Sequence, residues 1–166
     1  HRSDANDYEN SEIHNYLNSI ILSRFDADIQ AQIKPVKLPY RKGSGTSSTI
    51  TSGASGIFAK IFLLSSYEVG FGGYEYVPAD GAKLSRFDED NGGTAPLNKR
   101  IAYLNGSAVS WWLRSPCLEY PTSVWTVGKR GGGYRELCSN SYAVRPALIL
   151  PSNLLTFDDG TVVTNT

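Results

Sequence analysis

The sequence predicts an α+β fold, because helical periodicity is confined to the first quarter of the chain while short β-rich runs separated by turn residues fill the last third. Between these regions residues 70–98 lose all periodicity, which predicts a long surface excursion. The 166 residues suit a single domain, and no internal repeat is visible.

In chain order, SEIHNYLNSIILSRF over residues 11–25 places Ile13, Tyr16, Leu17, Ile20 and Ile21 on the stripe of an amphipathic helix. Ser11 is the expected N-cap, and Glu12 sits in the first turn, where a negative charge suits the helix dipole. His14 falls beside Ile13, off the stripe, and is expected to be exposed. A second short helix is expected over 26–33, with Ile29 and Ile33 on one face and an end forced before Pro35. Residues 43–56 hold twelve Gly, Ser or Thr among fourteen and read as a flexible loop. Residues 57–64 are expected to form one buried strand, followed by a short helical turn at SSYEVGF. Further strands are expected over 109–114, 123–127, 142–150 and 161–164. Gly131, Gly132 and Gly133 suit a hairpin end, as does Asp159-Gly160 before the last strand.

Composition excludes several classes of function. Sixteen basic and sixteen acidic side chains cancel, and no dense Lys/Arg run is interleaved with aromatics, so no nucleic-acid partner is expected. The longest apolar run, IFAKIFLL, is broken by Lys60 and is far shorter than the ~20 residues of a bilayer span, so no membrane insertion is expected. The chain opens on His1-Arg2-Ser3 and has no methionine, so it is expected to be part of a longer polypeptide. Cys117 and Cys138 lack the close pairing of a zinc site and read as two buried thiols, with a disulfide as the alternative.

The residues offer little to catalysis. His1 and His14 are the only histidines, and neither a G-x-S-x-G elbow nor an H-E-x-x-H pair is present. The Gly/Ser/Thr loop is flanked by Lys34, Lys37, Arg41 and Lys42 but lacks the phosphate-binding G-x-x-x-x-G-K-[ST] spacing. Asp88, Glu89, Asp90 and Asn91 miss the spacing of a calcium loop and read as a solvated acidic turn. Glu68, Glu75, Asp88, Glu119 and Glu136 are candidate glycosidase acids, but no sequence feature brings two of them together. No enzyme activity, metal or cofactor is therefore expected. Tyr120, Trp125, Tyr134, Arg135, Asn140 and Tyr142 instead form a candidate ligand-binding set, since Tyr, Trp and Arg combine large contact area with a polar handle. Strand alternation sends half of such a set inward, and SVWTV leaves the side taken by Trp125 open.

The stretches YENSEIHNYLNSIILSRF, IFLLSSYEVGF, SWWLRSP and YAVRPALIL, in that order, resemble an uncharacterised domain family common in Gram-positive gut bacteria and their phages. That family looks related to the C-type-lectin-like fold of formylglycine-generating enzymes and of the hypervariable binding proteins of diversity-generating retroelements. The resemblance implies two N-terminal helices packed on a small twisted antiparallel sheet, with long loops that bind a host-surface glycan or protein receptor. It further implies a virion location on a phage tail or fibre, or a bacterial cell surface. The alternatives are a structural virion or scaffold domain that contacts other subunits or its own copies, and, less favoured, an enzyme acting on cell-wall glycan. The redox cysteine pair of the formylglycine-generating enzymes and the E-P-N, Q-P-D and W-N-D motifs of calcium-dependent lectins are missing. Members of the family also begin with strands upstream of the first helix, which this chain lacks. The resemblance places SWWLRSP on a central strand, where alternation puts Trp111 with Leu113 on one face and Trp112 with Arg114 on the other. Trp111, Trp112, Arg114 and Arg145 are therefore expected in the structural core, with both arginines held by carboxylates or carbonyls. The binding face then falls to residues 70–98 and the segment 119–142.

Overall fold

Ser11 caps the first helix: its Oγ accepts the His14 N–H and its backbone is extended. In the computed structural model, which describes residues 6–43, 49–72, 74–87, 97–118, 120–152, 154–156 and 162–164, the helical course then departs from one regular α-helix. Helix α1 (Glu12–Tyr16) passes into a π turn (Leu17–Ile21) and a 3₁₀ turn (Leu22–Arg24). The Leu22 N–H reaches back to Leu17 O, an i to i−5 bond that widens the turn and re-aims the chain beyond it. The expected stripe is corrected accordingly: Leu17 is fully buried and Ile13, Ile21 and Leu22 pack on the core, while Tyr16 and Ile20 are exposed. His14 is not exposed either. It is half-buried edge-on to Tyr8, and burial lowers its pKa.

Helix α2 (Ala27–Gln32) leads into strands β1 (Val36–Leu38), β2 (Tyr40–Arg41) and β3 (Ile50–Thr51), none of which the apolar pattern signals. The run expected as one strand splits into β4 (Ile57–Ala59) and β5 (Ile61–Leu63). Asn18 causes the break. Its Oδ1 accepts the N–H groups of Lys60 and Ile61, and its Nδ2 donates to Ile61 O. The side chain thus takes backbone groups out of a continuous ladder and docks the π turn on the strands. The Lys60 ammonium completes the junction by donating to Gln30 O.

After the excursion come α3 (Leu97–Arg100), β6 (Ala102–Leu104), β7 (Ser107–Val109), β8 (Trp111–Pro116), β9 (Ser123–Val127), β10 (Gly133–Leu137), β11 (Pro146–Leu148), β12 (Leu154–Thr156) and β13 (Val162–Thr164). The β6–β7 hairpin turns on Asn105-Gly106, both at positive φ, the signal for a two-residue hairpin loop. The β-strand pairs are antiparallel: β8–β9–β10 form a three-stranded sheet, and β1–β4, β2–β3, β5–β11, β6–β7 and β12–β13 pair in twos. The fold is α+β with few helices and small antiparallel sheets. The Asp88–Asn91 acidic turn, residues 44–48 of the expected loop and the Asp159-Gly160 turn lie outside the described residues.

Strand β8 is walled in on both sides. Its outer edge is closed by Trp112 N–H to Ala143 O (3.0 Å) and Arg114 N–H to Leu64 O (2.9 Å). Alternation divides its side chains between two cores. Trp112 joins Leu17, Ile61, Leu63 and Val124, whereas Trp111 and Leu113 join Val69, Phe71, Trp125 and Val127. Cys138 belongs to the first core and Cys117 to the second, and no disulfide joins them.

The Arg114 side chain is 1% exposed. Glu68 grips its guanidinium with both oxygens at 2.6 and 2.7 Å, and the carbonyls of Leu63 and Asp80 take further donors at 3.0 and 2.7 Å. Glu68 also accepts the Ser65 N–H, and Ser115 donates to Asp80 Oδ1 while accepting the Ser66 N–H. Gly81 permits this crowding, because a Cβ there would lie 2.6 Å from Glu68 Cγ. Burial pushes the Asp80 carboxyl up to about 6 despite Arg114 and Ser115.

Glu68→Gln should cost about 3–5 kcal/mol in urea unfolding, since it leaves the Arg114 charge buried without a counter-charge. Asp80 gives a pH signature of definite sign. Its folded pKa lies above the ordinary 3.8, so the native state keeps this proton longer than the unfolded chain does. Stability therefore declines as pH rises from about 4 through about 6. Asp80→Asn should flatten that decline in urea midpoints measured across the window.

Candidate functional site

Tyr120, an exposed aromatic residue of the C-terminal third, sits on a loop that Asn6 holds in place. Asn6 is fully buried, its N–H donates to Pro121 O, and its Nδ2 lies within hydrogen-bond distance of the carbonyls of Cys117, Tyr120 and Ser123. This staple fixes the turn between β8 and β9 and with it Tyr120. Strand β9 then carries Trp125, whose ring lies in the second core with only 3% exposure. Its Nε1 donates to Tyr76 O at 3.2 Å, and the Leu118 N–H reaches the same carbonyl. Tyr76 has φ 65°, unusual for a tyrosine, and these two donors hold that strained backbone in place.

Arg135 is the cross-strand partner of Trp125. Its guanidinium lies 5.3 Å from the Tyr76 ring centroid and 5.0 Å from that of Tyr120, and those two rings meet edge to face. The charge is thus held over aromatic faces, and no carboxylate pairs with it among the described residues. Tyr74 stands edge-on to both Phe71 and Trp125. A cleft of about 420 Å³ results, lined by Tyr74, Glu75, Tyr76, Trp125, Gly133, Tyr134 and Arg135. It lies where the 70–98 excursion meets the β9–β10 hairpin.

Of the six residues expected to bind ligand, Tyr120, Trp125 and Arg135 come together here. Tyr134 is different. It pairs with Thr126, on the opposite face from Trp125, and its ring folds over Gly128 and Gly132 at the hairpin end. It therefore lines the cleft only from the rim and also faces a second hollow with Ser110, Lys129 and Glu136. Asn140 donates to Glu136, and Tyr142 packs edge-on against Trp112, so neither reaches the cleft. Tyr74 and Tyr76 are not singled out by the sequence, where the only signal for them is two tyrosines in an aperiodic segment between glycines and Pro78.

The four residues expected in the core also divide. Trp111, Trp112 and Arg114 are buried, but Arg145 is half-buried and is held by no carboxylate or carbonyl among the described residues. Its guanidinium lies over the Trp111 and Phe87 rings instead. The two acids that do meet are Glu68 and Asp80, in the closed core around Arg114 rather than in a cleft. Glu75 lines the cleft and Glu136 lies on the opposite sheet face, while Asp88 and Glu119 are outside the described residues, as is His1. Among the described residues no three His, Cys, Asp or Glu side chains are grouped to hold a metal ion, and no helix is long and apolar enough to cross a membrane. The arrangement suits holding a ligand by ring faces and charge.

The sequence model of one family, described as a domain of unknown function (DUF6273), matches residues 1–152. No curated protein and no solved structure matches the chain.

The two central side chains of the cleft should differ in what their truncation costs. Trp125→Ala removes core volume and should cost about 3–5 kcal/mol in chemical unfolding. Arg135→Ala removes an exposed stacked cation and should cost only about 0.5–1 kcal/mol.

Proposed function

The chain belongs to that family, and since membership assigns it no activity, we propose from its surface that it is a non-enzymatic module that binds a receptor or glycan through the Trp125 cleft. The observation that carries this reading is the Arg135 guanidinium, paired with no carboxylate among the described residues and held over Tyr76 and Tyr120 beside the Trp125 floor. Aromatic faces suit the C–H faces of sugars, while Arg135 and Glu75 offer a donor and an acceptor for hydroxyls. Both elements are fixed before a ligand arrives, which lowers the ordering cost of binding.

The same proposal reads the scaffold as C-type-lectin-like. Support comes from helical segments at the N-terminus, small antiparallel sheets, and a binding cleft made by a long loop and a hairpin. A parent protein on a phage tail or fibre, or on a bacterial surface, is supported by the resemblance of the SWWLRSP and YAVRPALIL stretches.

The test is binding of the labelled chain to Gram-positive cells and to a glycan array, with and without chelator. Tyr74→Ala and Arg135→Ala should each weaken binding by about tenfold or more, as truncation of an aromatic or arginine hot spot does. Phe58→Ala, at an exposed ring outside the cleft, should leave it unchanged. Equal binding by all three variants would put the ligand elsewhere, and binding to no cell or glycan would remove the reading.

A further inference from the structure

A second cleft, of about 380 Å³, opens beside the β6–β7 hairpin and shares no lining residue with the Trp125 cleft. Its walls are apolar, with Ala102, Leu104, Val109 and Val144 among them, and Trp111 and Arg145 line it as well. The hairpin leaves Tyr103 68% and Leu104 57% exposed, neighbouring apolar surface on the wall of the same cleft as Arg145.

Arg145 is the anomaly. Its guanidinium lies 4.9 Å from the Trp111 ring centroid, and its Nη1 is buried with no hydrogen-bond partner among the described residues. Burial lowers its pKa, and the like charge of Arg86 lowers it further. A guanidinium that is partly desolvated, short of one partner and facing another cation is a site short of an anion. Its planar fork fits a carboxylate, and the apolar walls fit whatever carries that carboxylate.

We propose that this cleft binds a carboxylate borne on an apolar group, with Arg145 as its ion-pair partner and the β6–β7 hairpin as its apolar wall. The group is either a free short-chain acid or the C-terminal carboxylate of an apolar residue at the end of another polypeptide. The occupancy of this cleft is independent of what binds at Trp125.

The test is an NMR titration of the whole chain with hexanoate, 3-phenylpropionate and N-acetyl-leucine, each beside its uncharged primary amide. The acids should shift the Trp111 indole N–H and the Leu104 and Val109 methyl resonances saturably. Their affinity should exceed that of the amides by about tenfold, the worth of one charge-assisted pair. Arg145→Gln should abolish that preference, Arg86→Gln should weaken acid binding several-fold, and Arg135→Ala should change neither. Tighter binding of N-acetyl-leucine would identify a polypeptide chain end as the source, and tighter binding of hexanoate or 3-phenylpropionate a free acid. Three results would overturn the proposal: amides binding as well as acids, no shift at these resonances at millimolar acid, or full acid affinity in a folded Arg145→Gln protein. If Arg145→Gln does not fold, undiminished acid binding by Arg86→Gln would overturn it equally.

Discussion

The Arg114–Glu68 ion pair is the constraint around which the chain is arranged. A buried guanidinium needs partners, and here its two terminal nitrogens find them in Leu63 and in Glu68 and Asp80 of the segment after β5. These residues are far apart along the chain, so satisfying one side chain draws β5, the turn after it and the start of the excursion onto β8. The low dielectric that strengthens the pair also makes it costly to leave half-made. The pair thus acts as a register mark as much as a source of stability, because Glu68 and Asp80 reach Arg114 together from one segment.

From that anchoring the cleft results. With residues 65–81 fixed against β8, Tyr74 and Tyr76 are delivered to the face of β9 that bears Trp125. Tyr76 accepts a strained backbone there because its carbonyl receives two donors. Asn6 performs a matching task beside the cleft, its Nδ2 lying within reach of three carbonyls of the β8–β9 connection. The buried Arg114 network thus places rings that line the cleft, and Asn6 places Tyr120, which meets Arg135 and Tyr76 beside it. The acids obey the same logic: Glu68 and Asp80 are used inside the molecule, where they organise backbone and are shielded from a substrate.

Strand alternation explains why two arginines close in sequence pattern have different fates. Arg114 shares its side of β8 with Trp112 and is enclosed by the excursion, whereas Arg145 lies past the bridge between Ala143 and Trp111 and meets the opposite face of the strand. One guanidinium is gripped through both terminal nitrogens by a carboxylate and backbone carbonyls, and the other rests on aromatic rings at the edge of a cleft. Composition gives both the same chemistry, and packing separates their roles.

By itself the sequence determined the features that local chemistry can encode. The Ser11 cap and strand β9 over residues 123–127 could be read from residue type and period, and the division of Trp111 from Trp112 and the burial of Arg114 from alternation once the resemblance placed SWWLRSP on a central strand. The Asn105-Gly106 signal for the β6–β7 hairpin is also present in the chain, outside the strands expected from its β-rich runs. Tertiary structure decided the rest. The break at Lys60 depends on Asn18, which is 42 residues away, and the burial of Trp125 depends on a carbonyl 49 residues away. Short strands paired with distant partners leave no periodic trace of those partners, because each is specified by side-chain hydrogen bonds across the fold rather than by its neighbours. The cleft is of that kind: its residues were visible as types, and only packing chose which of them meet.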